Sequence, residues 1–340
     1  MKAAWCCRLL GTLAVVCFIQ ETSAQPEPSG GFPTPFAISN QSPVVAIFGI
    51  PKAQGTTLVR RGKTEWDATV EQTSHFNETF GANEDIVLDG ETTRFALRFR
   101  YGLNDHWNIG VEIPWVRHSG GVLDGFIVDW HHLWGFPQNG RDVAPEDRLL
   151  FRYRRGDQTL LNLDSPTEGI GDVIVSAQRL LHQGTGERMV LHTQVKLPTG
   201  EAGKLTGSGA ADAGAGVELS KRWRRRWHSN FRAGLVYLGD GDVLPGLRRN
   251  FAAYGGFNVV WRPVRAVSFS VQYDAHTAPY RDTDLDELGL WSGMLTAGGT
   301  VHLSRNTALD LAVVENVPNA RSVSDVSFHV RLRAIWGDRP

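Results

Sequence analysis

Residues 107–115 read Trp-Asn-Ile-Gly-Val-Glu-Ile-Pro-Trp, and their spacing decides how the chain folds. In an extended strand Trp107, Ile109, Val111, Ile113 and Trp115 fall on one face, and Asn108, Gly110 and Glu112 on the other, because successive side chains point to opposite sides. An apolar row ending in aromatics and backed by a polar row suits a strand with lipid on one side and a wet interior on the other. A soluble sandwich or solenoid would alternate as well. Its apolar face would then be its core, with no need of an aromatic at each end.

The pattern repeats outward from this stretch. Trp66, Ala68 and Val70 alternate with Glu65, Asp67, Thr69 and Glu71, and Phe95, Leu97, Phe99 and Tyr101 alternate with Arg94, Arg98 and Arg100. Further candidates lie at 170–181, 188–198, 211–221, 227–238, 250–261, 266–276, 290–303, 307–315 and 326–336. Together they predict an all-β fold, a transmembrane antiparallel β-barrel of about twelve strands over 62–337, each long enough to cross a bilayer at a tilt. Trp66, Trp107, Trp115 and Trp336 are the expected membrane girdle, against outer-membrane lipids. The final row, Phe328, Val330, Leu332, Ala334 and Trp336, is the expected signal for barrel-insertion machinery, followed by a short tail at 338–340.

The connections alternate in length. Segments 102–106, 182–187, 222–226, 262–265 and 304–306 are short, whereas 77–91, 118–169, 199–210, 239–249, 277–289 and 316–325 are longer. Short periplasmic turns and long external loops are the habit of outer-membrane barrels.

Lys2 and Arg8 precede an apolar run, Leu9 to Ile19, and then Thr22-Ser23-Ala24, so residues 1–24 read as a signal peptide cut after Ala24. The apolar run is too short for the ~20 residues of a spanning helix. Cys6, Cys7 and Cys17 all lie within residues 1–24, which excludes disulfides and thiolate chemistry from the remainder. With 35 basic and 36 acidic residues there is no basic field for nucleic acid. The expected home is the outer membrane of a Gram-negative bacterium.

Two segments break the strand pattern. Residues 25–61 begin Pro-rich, as a linker over 25–37, and then become apolar at Val44, Val45, Ile47 and Phe48. The segment lies in the periplasm, adds a strand or folds inward as a plug, and for 38–61 the apolar residues favour packing inside or beneath the barrel over a free tail. Within the long external loop 118–169, Phe126, Ile127, Trp130, Leu133 and Trp134 recur at helical spacing. That short helix either caps the mouth or serves as a lid, with Phe126, Trp130 and Trp134 as its gripping side chains.

Phasing the strands places Glu65, Asp67, Glu71, Arg94, Arg98, Arg100, Glu112, Asp172, Lys196, Asp212, Glu218, Arg232, Arg262, Asp274, Arg331 and Arg333 on the lumen side. Opposed charges in a narrow barrel make either a packed salt-bridge network or a polar conduit with selective charged rings. Gly214, Gly216, Gly234, Gly256 and Gly298 also face inward, leaving space for a plug or a solute. No metal or cofactor is expected. His131 and His132 are adjacent, and on a helix they diverge by about 100°.

His228-Ser229-Asn230 shares its letters with a twelve-stranded outer-membrane phospholipase. Adjacent strand residues face opposite sides, so His228 cannot serve Ser229 as a base. His302-Leu303-Ser304 has workable spacing but is placed at the periplasmic end.

A resemblance rests on Gly169-Ile170-Gly171-Asp172-Val173, Lys196-Leu197-Pro198-Thr199-Gly200 and Gly207-Ser208-Gly209-Ala210-Ala211-Asp212. These are similar to outer-membrane barrels linked to the meta-pathway of phenol degradation, and to a barrel family known as a domain of unknown function. The second resemblance also takes in Asn40-Gln41-Ser42-Pro43, Phe48-Gly49-Ile50-Pro51, Leu88-Asp89-Gly90-Glu91-Thr92 and Tyr101-Gly102-Leu103, from about residue 36 to 336. It implies a barrel and no established activity. The expected function is a conduit or receptor for small, hydrophobic or aromatic solutes, against a closed structural barrel or, more distantly, a lipid hydrolase.

Overall fold

The computed structural model describes residues 33–134, 145–317 and 324–336. The expected signal peptide 1–24 and tail 338–340 lie outside the described residues. The elements are β1 (Thr64–Phe80), β2 (Glu84–Asn104), β3 (Trp107–Ser119), α1 (Asp124–Trp134), β4 (Leu150–Arg155), β5 (Gln158–Leu163), β6 (Thr167–Ile170), β7 (Ile174–Gln183) and β8 (Glu187–Lys196). They continue with β9 (Asp212–Arg224), β10 (Trp227–Leu238), β11 (Phe251–Val264), β12 (Val267–His276), β13 (Ser292–His302), β14 (Thr307–Asn316) and β15 (Val326–Trp336).

β1, β2, β3 and β7 to β15 pair antiparallel in sequence order. The ring closes where β1 meets β15, from Thr64 opposite Trp336 to Ser74 opposite Val326. Closure leaves these twelve strands without a free edge, which a wall facing hydrocarbon requires because lipid satisfies no backbone group.

Burial runs opposite to that of a soluble protein. Val70, Phe99, Ile113, Phe257, Val271, Leu311 and Val330 stay exposed, while Asp67, Glu71, Arg98, Lys196, Asp274, Asp310 and Arg331 are buried. In water such an outer surface would cost about 25 cal/mol per Å² of exposed apolar area; in a bilayer the cost disappears.

Two connections differ from the expectation. The 77–91 stretch is not a loop: β1 and β2 stay paired as far as Phe80 opposite Asp85, leaving a turn at 81–83. Beyond the membrane neither face meets lipid, so the ladder continues although the apolar row has stopped. The 118–169 segment holds α1 and also β4, β5 and β6; β4 pairs with the β2 extension from Glu84 to Asp89, and β5 with β4.

Candidate functional site

Residues 34–61 pass through the inside of the ring. Thr34 and Pro35 meet Arg333 and Arg331 near the end of β15, through bonds of 2.9 Å each. The Phe36 amide and carbonyl both bond Gln272. Asn40 reaches His276 and Ser292, at the far ends of β12 and β13. There the chain makes tight turns over Ser42–Phe48 and descends along β8, β9 and β10 to Val59, Arg60 and Arg61 beside Gly102. Its course is that of a hairpin entering from the short-turn end and returning to it.

The apex is apolar because it meets the external loops. Val44, Val45, Ile47 and Phe48 join one buried cluster with Ile86, Leu88, Phe151, Tyr153, Leu205, Leu238, Val243, Leu244, Leu285 and Leu288. The Tyr280 hydroxyl donates to the Val44 carbonyl at 2.6 Å. Burial raises that phenol above its ordinary pKa, so it remains a donor.

The charges predicted for the lumen gather into four groups. Along β1, β2 and β3, Arg98 pairs with Asp67 at 2.8 Å, Arg100 pairs with Glu65, and Arg94 bridges Glu71 (3.2 Å) and Glu112 (2.5 Å). Lys52 of the inner hairpin adds a bond of 2.7 Å to Glu112. On β14 and β15, Asp310 takes Arg331 at 2.6 Å and Arg333 at 3.0 Å. In the third group Arg232 pairs with Asp274 at 2.8 Å and donates to the Pro51 carbonyl, while Glu218 accepts from the Gln54 and Gly55 amides at 2.9 and 2.6 Å.

The fourth group is built from the motifs behind the family resemblance. Lys196 Nζ lies 2.6 Å from Asp172, 3.3 Å from Asp212, 2.5 Å from Ser208 Oγ and 3.0 Å from the Ile47 carbonyl. Asp172 accepts from the Gly200 and Ser208 amides, and Asp212 from those of Gly49 and Gly239. One buried cation with two carboxylates thus ties three external connections to the hairpin apex.

Several expectations need correction. Arg262 stands apart from all four groups: it donates to the Arg265 carbonyl at 2.7 Å within the turn after β11. Its strand phase points inward, but it stands two residues before the end of β11 and meets the turn that follows. The inward glycines do not leave empty space. A Cβ on Gly214 would come 2.8 Å from Pro51 Cγ, those on Gly216 and Gly234 would strike the Tyr254 hydroxyl, that on Gly256 would strike Asp274, and that on Gly298 would meet the β14 backbone.

Phe126 does not lie across the mouth as a lid would. Its ring is 6.3 Å from Phe328, on the outward row of β15, and the chain just before α1 covers the outward-facing Glu91, which accepts from the Val122 and Leu123 amides. The Trp130 and Trp134 side chains are outside the described residues. Trp66, Trp107 and Trp115 lie on outward rows, and Trp336 ends its own row strongly exposed.

Asp310 and Lys52 were missed in the sequence. For Asp310 the signal was there, since Leu309 and Leu311 flank it on the other face; Lys52 carries no periodic mark. In the serine motifs, Ser229 accepts from the Trp223 indole at 2.8 Å and Ser304 from the Asn306 amide at 3.1 Å within a turn.

A closed twelve-stranded wall with an apolar outer face and a charged interior defines an outer-membrane β-barrel. The chain belongs to the DUF3187 family, described as a protein of unknown function, whose model matches residues 9–336. Its fold is similar to that of the COG4313 outer membrane channel from Pseudomonas putida F1, at 10% identity and a TM-score of 0.56, covering 83% of this chain and 98% of that one. Weaker likenesses include the NanC porin, at 9% identity and a TM-score of 0.45 over 80% of this chain and 98% of that one. The Ralstonia pickettii toluene transporter TbuX follows at 11% identity and 0.41, over 81% and 90%. No curated protein matches the sequence.

Proposed function

We propose that the protein resides in the outer membrane as a conduit for small hydrophobic or aromatic molecules, closed at rest by its own residues 34–61. One observation carries this reading: Lys196, Glu218, Arg232 and Arg331 spend hydrogen bonds on the backbone of the inner hairpin. Bonds of that kind contribute roughly 0.5–3 kcal/mol each, which holds a segment without making it part of the wall. A hairpin attached at the short-turn end can withdraw as a unit.

The apex supports an apolar solute. Between it and the wall lies a cavity of about 50 Å³ lined by Val45, Ile47, Phe48, Val116 and Ile174 together with Asn40, Gln41, Lys52, Arg94, Asp172 and Lys196, so that apolar and polar groups share it. This space is too small for an aromatic ring while the apex is seated, and it enlarges when the apex leaves.

The test compares the full chain with a variant lacking residues 38–56 in planar bilayers and in uptake of aromatic solutes into vesicles. The full chain is expected to conduct weakly and the deletion to open discrete steps with faster uptake. If the deletion variant keeps the heat-modifiable migration of a folded barrel yet stays silent to ions and solutes, the protein is a sealed structural barrel instead.

A further inference from the structure

We propose that the short-turn rim of the barrel is a binding surface for anionic phospholipid headgroups. The inference rests on the outer-membrane reading above, which puts this rim in the periplasmic leaflet.

Charge is distributed unequally between the two ends. Segments 222–226, 262–265 and 304–306 hold seven arginines and no acid; the two other short connections add only Asp105 and Glu187 as acids. Neighbouring turns are knitted into one arc by backbone bonds, Arg222 to Gly186 at 2.7 Å, Arg262 to Arg226 at 2.8 Å and His302 to Ala266 at 2.8 Å. The arginines therefore form a continuous surface, separated by no acidic turn.

Pairing is unequal as well. At the external end several cations have acid partners: Arg148 with Asp89 at 2.5 Å, Arg155 with Glu84 at 3.1 Å, Arg248 with Asp240 at 2.9 Å and Lys204 with Glu201 at 2.8 Å. Arg224, Arg225, Arg226, Arg265 and Arg305 are exposed and make no ion pair with any described residue. A rim evolved only for solubility would mix signs, as the external end does. Five like charges without an acid partner among the described residues favour an anion from outside the chain.

The arginines sit at lipid-headgroup depth. Trp223 and Trp227, inside the run Lys221-Arg-Trp-Arg-Arg-Arg-Trp227, are 50% and 45% exposed on the outer wall. Trp227 stacks on Trp261, and Trp261 on Phe269, at 6.3 and 5.8 Å. Lys221 Nζ lies 4.8 Å over the Trp223 ring. Indoles of this kind settle at the boundary between acyl chains and headgroups, so the interleaved guanidinium groups stand level with the phosphates. Arginine suits them because its planar fork matches phosphate oxygens.

The test uses quenching of tryptophan fluorescence in the folded full chain by brominated lipids, in phosphatidylcholine vesicles holding about one fifth phosphatidylglycerol. With bromine on the phosphatidylglycerol, quenching is expected to indicate roughly five- to tenfold enrichment around the protein. The preference should vanish in R224Q/R225Q/R226Q and above about 0.5 M salt. Equal quenching by both lipids, or an unchanged preference in the triple variant, overturns the proposal. So does salt-sensitive binding of a soluble polyanion without preference for phosphatidylglycerol. Heat-modifiable migration, read on both proteins, separates the two levels: with it present and no preference, only the headgroup surface fails; with it absent, the barrel reading fails too.

Discussion

Lys196 lies 2% exposed among Asp172, Asp212, Ser208 and the Ile47 carbonyl, and its charge balances two carboxylates that water cannot reach. Taking one partner out of a buried ionic group leaves the others uncompensated, typically at 3–5 kcal/mol. Lys196→Met should therefore lower the urea midpoint of unfolding, followed by loss of the folded gel band, and should do so more than Lys204→Met, whose partner Glu201 is exposed. Gly214 supplies a steric counterpart, since its missing Cβ admits Pro51. Gly214→Val should displace the descending limb of the hairpin and raise conductance in planar bilayers, while the outer wall and its gel migration stay unchanged. Asp172 and Asp212 were legible as turn residues of a motif; their convergence on one lysine was not, because they come from connections 40 residues apart in the chain.

At the scale of elements, alternation located the wall and failed above it. β1 and β2 run on together to Phe80 and Asp85, and β4 and β5 extend the same sheet. Amide hydrogen exchange should consequently find residues 84–89 protected, comparably to 94–99 in the wall; exchange at the rate of a free loop would contradict the pairing. Alternation with lipid on one side is a rule about the membrane band, so a strand that leaves the band loses its sequence signature while keeping its hydrogen bonds. Helical spacing in 124–134 pointed to a mouth cover, whereas Phe126 meets Phe328 on the outside. Spacing defines the apolar face of a helix and carries no information about which apolar surface will receive it.

For the whole molecule, the closed ring divides every strand residue between lipid and lumen, and substitutions should obey that division. Val330→Arg, on the outward row of β15, should cost roughly 2–4 kcal/mol near the bilayer midplane. Ala312→Ser, inward on β14, should cost far less. Refolding titrations in lipid vesicles compare the two, and equal costs would contradict the assignment of faces. Period-two alternation, the aromatic ends of the rows, and short turns alternating with long loops were sufficient to derive a twelve-stranded barrel from the sequence alone, because each is imposed locally by a wall between lipid and water. The inner hairpin was legible only as a stretch too apolar to hang free. Tertiary structure decided that its apex packs beneath the external loops, that Pro51 sits against Gly214, and that the wall charges hold its backbone. Those bonds join residues more than a hundred positions apart, and no local pattern encodes a partner that only the closing of the ring brings within reach.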